Sequence, residues 1–469
     1  MADDRFAFLS IRELGRMLRA GETTPTELAE YFLNRLDTVG RRLNAVVTLT
    51  RERAMDEART AEHELARGHD RGPLHGIPYG AKDLLATAGG IPTTWGATPF
   101  KDQQFDRDGA VIERLRVAGA VLVAKLSMVE LAGGMGYNQP NASITGPGLN
   151  AWNLEAWSGG SSSGSGSAVG AGAVAFAIGT ETWGSITTPA SYCGVSGLRP
   201  TYGRVSRRGA MALCWTLDKL GPMCRTADDC GLVLHTIAGH DPEDETSLTL
   251  DYRYEPEQAR TAGFRLGVLP VAEGETQPEV GANYRAALDM LRAVATFEDV
   301  TLPDFPYGPV TETILHAEAA SAFDDFMASG KLSELAATET RVAPLAYRTV
   351  AAKDYINALR IRRRIVRDVD ALFARYDAIV CPTTNAVASP ITMRFSEYFK
   401  AATGRRPAIG AVGNVAGLPA ISVPSGFGER GLPTAIQFVG RAGTENAILA
   451  VARAYQARTD WHTKRPGIA

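Results

Sequence analysis

The sequence predicts one α/β domain, and three observations support that prediction. Short apolar segments alternate with longer amphipathic ones, as strands layered against helices do. No stretch repeats at a fixed interval and no linker divides the chain, although 469 residues would by length allow about three domains. The apolar share of 45% and the charged share of 22% are those of an ordinary globular protein.

Composition also bears on function. A formal net charge of −3 offers no basic footprint for nucleic acid and no cationic face for a membrane. The opening residues, MADDRFAFLS, lack the basic and apolar parts of a signal peptide. The longest uncharged apolar run, Ala168 to Ile178, is too short to span a bilayer. Cys193, Cys214, Cys224, Cys230 and Cys381 form no CxxC pair and read as reduced core residues. His63, His69 and His75 are unevenly spaced for one helix face and read as solvated surface, so neither a metal nor a cofactor is expected. These features predict a cytoplasmic enzyme with a small-molecule substrate and with no nucleic-acid or membrane partner; a homodimer stays open.

In chain order, Ser10-Ile-Arg-Glu13 is a capping box opening a helix with Ile11, Leu14, Met17 and Leu18 on one face. Thr24-Pro25-Thr26-Glu27 repeats the signal with proline at the first helical position. A charged helix follows over about 51–67. The segment Gly72 to Asp83 then closes toward an apolar core with Lys82 in an otherwise uncharged run. A lysine entering a buried strand must be paired or lose its proton. A helix is expected over 108–118 and a short buried strand over 120–124. Beyond residue 201 come a turn at 217–222, a helix at 226–238 and a strand at 266–269. Long Ala-, Glu- and Asp-rich helices run on to about 337 and point to no chemistry. The basic-faced helix 353–376 reads as a solvated face. Strands are expected at 378–382, 414–426 and 434–440, the last two joined by a Gly-Glu-Arg-Gly turn, before a final helix at 445–456.

The stretch Trp157 to Thr201 is where chemistry is expected. A bare Gly/Ser tract is ordinarily a flexible linker, but this one runs without a break into AVGAGAVAFAIG, too apolar to remain solvated. A tract fused to a buried element should itself be packed, with glycine backbone free to approach a ligand. Acyl-bond hydrolysis needs a nucleophile, a group to take its proton and donors for the oxyanion. Ser185 lies just past a glycine, where the N–H groups of Thr182, Trp183, Gly184 and Ser185 could face one small volume. Only His75 lies near these motifs, so Lys82 is the available base, provided it is neutral. Bringing a lysine from about 10.4 to about 7 costs roughly 4.6 kcal/mol, which burial without a close counter-ion can supply. Ser161 is placed to carry the proton between Ser185 and Lys82.

These residues resemble the motifs of the amidase signature family. Gly159 to Ala168 (GGSSSGSGSA) is similar to its glycine–serine segment, Thr180 to Ile186 (TETWGSI) to its nucleophile segment, and Gly76 to Asp83 (GIPYGAKD) to its lysine motif. Leu43-Asn-Ala45, Gly197-Leu-Arg-Pro200, Leu217-Asp218 and Asn414-x-x-Gly-Leu-Pro419 extend the resemblance over nearly the whole chain. Its core motifs lie at about 70–240 and 375–456, and 256–341 is the least distinctive part. The resemblance implies a single domain over 1–469, a mixed twisted β-sheet sandwiched between helical layers. It implies Ser185 as acylated nucleophile, Ser161 as a bridging serine held by a cis peptide bond, and Lys82 as the base. The N–H groups of Thr182 to Ser185 would form the oxyanion hole, and Gly133, Gly134, Met135 and Trp183 would contact substrate.

Three departures stand out. Glu181 replaces the usual aspartate, Trp183 stands in a glycine-rich position, and Thr187 occupies the place of an arginine, so a pair that braces the loop is expected to be missing. The family resemblance leaves two roles. A stand-alone hydrolase of carboxamides, extending to aryl amides, esters or carbamates, is preferred, because the glycine- and tyrosine-rich segment of the amidase component of tRNA-dependent amidotransferases is not evident in RVAPLAYRTVAAKDYINALR. The amidotransferase component is the alternative. Gly160-Ser-Ser162-Ser-Gly164 also fits an α/β-hydrolase elbow with Ser162 as nucleophile. NAWNLEAWS is a poor preceding strand, however, and no downstream histidine has distinguishing context.

Overall fold

The Ser10 side chain accepts the Glu13 N–H while the Glu13 carboxylate accepts the Ser10 N–H, so the capping box starts the helix Ile11–Arg19. Thr24 caps Pro25–Arg35 from one side only, its hydroxyl accepting the Glu27 N–H. The computed structural model describes residues 4–272, 274–402 and 408–468. Its strands are β1 (Val46–Leu49), β2 (Pro78–Lys82), β3 (Val121–Leu126), β4 (Leu149–Asn150), β5 (Asn153–Trp157), β6 (Phe176–Glu181), β7 (Ser196–Arg199), β8 (Lys219–Cys224), β9 (Phe264–Val268), β10 (Ala295–Asp299), β11 (Ala378–Pro382), β12 (Ala420–Phe427) and β13 (Pro433–Val439).

Eleven of these strands form one mixed sheet in the order β1-β3-β2-β6-β8-β7-β12-β13-β11-β9-β10. Third from one edge, β2 runs parallel to β3 and β6, with Tyr79 opposite Phe176 and Ala81 opposite Ile178. β6 and β8 are antiparallel. Helices flank the sheet, and alternation along β6 sends Phe176 and Ile178 into one apolar core and Ala177 into another. Parallel β2 and β6 end at the same edge, which brings Lys82 beside Thr180.

The Gly/Ser tract is packed. It forms the helix Ser163–Gly170, every residue of which is buried. The reason for glycine there is close approach: a Cβ on Gly164 would lie 2.5 Å from both the Ala45 carbonyl oxygen and the Ser127 nitrogen. All five cysteines are buried and free.

Three expectations are corrected. Asn414 to Gly426 is not one strand: the helix Ala408–Val415 turns at Gly417, with φ +70, before β12 begins. The apolar spacing of AIGAVGNV suits a helical face as well as a strand, and periodicity over so short a run does not separate them. NAWNLEAWS does contain a strand, β5, but it pairs with β4 outside the main sheet, with an isolated bridge from Ala156 to Pro390. His75 is fully buried rather than solvated, with Nε2 3.1 Å from the Glu64 carboxylate. The least distinctive region contributes β9 and β10, a parallel pair at the sheet edge.

Candidate active site

Lys82 ends β2 with its side chain fully buried. Nζ donates to Ser161 Oγ at 2.7 Å and to Thr180 Oγ1 at 2.8 Å. Burial brings its pKa down to about 7, against the opposing influence of the Asp218 and Glu181 carboxylates. The amine is therefore poised to exchange a proton near neutrality.

Ser161 follows a cis Gly160–Ser161 peptide bond, and its carbonyl accepts the Val129 N–H at 3.0 Å. Ser162 stitches this loop to β6: its hydroxyl donates to the Thr180 carbonyl and accepts the Thr180 N–H, both at 3.2 Å. The Ser162 N–H donates to the Ser185 carbonyl at 3.3 Å, so the Ser161 and Ser185 loops lie side by side. Ser162 Oγ is thus spent on backbone, and among the described residues no histidine is bonded to it, which disfavours the elbow alternative.

Ser185 sits between β6 and the helix Thr187–Cys193, 9% exposed against 1% for Ser161. Gly184 before it takes φ +87, which glycine adopts without cost. Among the described residues, no hydrogen bond engages the N–H of Thr182, Trp183, Gly184 or Ser185, leaving these donors for an incoming oxygen. Thr182 Oγ1 donates to Asp218, whose other oxygen accepts the N–H groups of Leu213 and Cys214.

The brace expected to be missing is present in another form. Glu181, wholly buried, pairs with Arg199 of β7 at 2.8 Å and accepts from Asn414 at 3.0 Å. Thr187 joins that same carboxylate through its N–H and hydroxyl. Sequence reasoning missed Arg199 and Asn414 as site residues; the signal available was polar residues embedded in otherwise apolar runs.

A cavity of about 110 Å³ opens beside Ser185, lined by Trp183, Gly184 and Gly160 with Tyr137, Trp157 and Phe395. Trp157 and Phe395 stack at 4.5 Å. Trp183 both faces this space and packs its partly buried ring against the core. A second cavity of about 200 Å³ reaches Thr180 and Thr182 from the side of Met211, Leu213 and Trp215. Of the loop expected to contact substrate, Met135 is buried in the core, and neither it nor Gly133 and Gly134 lines either space. The neighbouring Ala132 and Tyr137 do.

The sequence model described as Amidase matches residues 27–449. The chain belongs to the amidase family. Within that family it is 36% identical to the A subunit of the glutamyl-tRNA(Gln) amidotransferase of Moorella thermoacetica, over 98% of each chain. It is 37% identical to the protein of that name in Chloroflexus aggregans, over 98% of this chain and 99% of the relative. Among solved amidase structures it is similar to the peptide amidase of Stenotrophomonas maltophilia, with a TM-score of 0.85, 30% identity and coverage of 98% and 99%.

Two sequence-based expectations are thereby overturned. The preference for a stand-alone hydrolase rested on one undetected segment, and whole-chain similarity to amidotransferase subunits outweighs it. That segment falls in the helix Thr338–Tyr347 and the start of Ala352–Phe373. The exclusion of nucleic acid and the expectation of a small-molecule substrate fail on the same relatives. Net charge sums a whole surface and says nothing about a site reached through another protein or one local face. Among the described residues no helix is long and apolar enough to cross a membrane.

Proposed function

We propose that this chain is the amidase component of a tRNA-dependent amidotransferase, releasing ammonia from a carboxamide donor at Ser185. Ser185 Oγ attacks the carboxamide carbon while its proton passes to Ser161, which yields its own to the neutral Lys82 amine. The N–H groups of Thr182 to Ser185 hold the developing oxyanion. Collapse breaks the C–N bond, and the Lys82 ammonium returns a proton through Ser161 to the departing nitrogen. Water then hydrolyses the acyl-serine by the same path, and the ammonia passes to a partner protein for the glutamyl-tRNA acceptor.

The observation carrying the chemistry is the 2.7 Å bond from Lys82 Nζ to Ser161 Oγ, made by a buried lysine brought down to about 7. The amidotransferase role is supported by relatives that match this chain end to end under that name. The test is to co-purify the full chain with its partners from its own cells and supply glutamine labelled with ¹⁵N at the amide. The proposal expects label on glutamyl-tRNA(Gln), lost on Ser185→Ala. A chain that purifies alone and transfers no label to tRNA would overturn the amidotransferase role.

A further inference from the structure

Glu181 and the pair Ile186–Thr187 flank the loop that carries Ser185, one on each side. A single oxygen, Glu181 Oε2, accepts the Ile186 N–H at 2.9 Å, the Thr187 N–H at 3.0 Å and the Thr187 hydroxyl at 3.2 Å. The carboxylate therefore closes the loop on itself, as a staple from its first residue to its last. The other oxygen, Oε1, accepts Arg199 Nη1 and Asn414 Nδ2. Arg199 is itself fixed by donating Nε to the Leu418 carbonyl at 2.9 Å. Gly413 leaves room for its guanidinium, since a Cβ there would come within 2.4 Å of Nη2. Asn414 Nδ2 also donates to the carbonyl of Gly410, which lines the cavity beside Trp183.

We propose that Glu181, Arg199 and Asn414 are positioning residues for the reaction at Ser185, together setting the orientation of the Thr182–Ser185 strip and neutralising the charge behind it. This rests on the reading of Ser185 as nucleophile. The physical need is twofold. Oxyanion donors act only if held where the charge develops. A bare carboxylate adjoining them would oppose that charge strongly in a buried setting, and Arg199 removes the opposition. With Thr187 standing where the resemblance expects an arginine, Glu181 and Arg199 together supply the brace. Titratable groups facing this cluster are Lys82 from β2, Asp218 just before β8, Lys219 at its start, and Arg199 from β7.

The test uses p-nitroacetanilide, whose poorer leaving group makes acylation of the nucleophile the slow step, so that kcat reports it whatever the natural donor is. Glu181→Gln/Arg199→Met removes both charges together and so leaves no uncompensated buried ion. With unchanged circular dichroism, it is expected to lose about tenfold to a hundredfold in kcat with KM within about twofold, less than loss of a direct oxyanion donor. Asn414→Ala, which removes one hydrogen-bonding side chain and no charge, is expected to lower kcat several-fold in the same pattern. Arg199→Met alone should move the acidic limb of kcat/KM to higher pH, because the Glu181 charge then favours the Lys82 ammonium uncompensated. Arg199→Lys should restore that limb. Wild-type kcat in a folded double variant, a loss confined to KM, or an acidic limb unmoved by Arg199→Met would each overturn the positioning role. Full activity in Ser185→Ala would instead overturn the reading beneath it.

Discussion

At the scale of single residues the account depends on Lys82 being buried and uncharged. The wild-type rate should fall on the acid side with a midpoint near the lysine value of about 7, since the proton that charges Lys82 removes the base. A pH–rate profile with chemistry rate-limiting checks this, and a flat acidic limb would count against the neutral amine. Lys82→Ala should cost at least about three orders of magnitude in kcat/KM, a general base plus the positioning of its relay. Thr180→Val, which keeps shape but removes one of the two acceptors of Nζ, should lower the rate less and leave stability nearly intact. Parallel thermal unfolding of these variants separates chemistry from folding.

At the scale of elements, the helix carrying the Gly/Ser tract is the most constrained piece. Gly164→Val would drive side-chain atoms into the Ala45 and Ser127 backbones and should destabilise by about 1–3 kcal/mol or more, read as a lower denaturation midpoint. Much at this scale was legible beforehand. Capping residues at Ser10 and Thr24 act over three positions, so the first two helices could be read from local sequence alone. β11 and the helix Glu445–Gln456 fall where the patterning puts them. The sheet order was not legible, because pairing β7 with β12 joins segments more than two hundred residues apart, and no local pattern encodes a partner at that distance. The same reason hid the brace: Glu181 finds its cation on β7 and its amide on the helix Ala408–Val415. Lys82, Ser161 and Ser185 could be singled out because polar residues in apolar or glycine-rich runs stand out without knowledge of the fold. His75 misled for the converse reason: flanking Gly and Asp suggested a surface turn, whereas Glu64 and the Arg71 N–H give the ring polar company inside.

At the scale of the whole molecule, buried charge ties stability to pH in two separate windows, with the same sign in each. Burial pushes the Glu181 carboxyl upward, but Arg199 and the backbone donors prevail and hold it at about 2, below its ordinary 4.5. Its contribution is complete above pH 4.5 and is lost as pH falls toward 2. Lys82 and Lys219 both fall to about 7 from 10.5, so the unfolded chain binds more protons between those values and stability should rise with pH across that window. Denaturant midpoints measured from pH 2 to 10 check that stability rises with pH across both windows. The most direct test of the central claim is mass-spectrometric mapping of the acyl-enzyme formed with p-nitrophenyl acetate above pH 7, where Lys82 is neutral, and trapped by rapid quenching into acid. The account predicts one acyl group, on Ser185, absent from Ser185→Ala and formed far more slowly by Lys82→Ala; an acyl group on Ser162 or another residue, or equal labelling without Lys82, would contradict it.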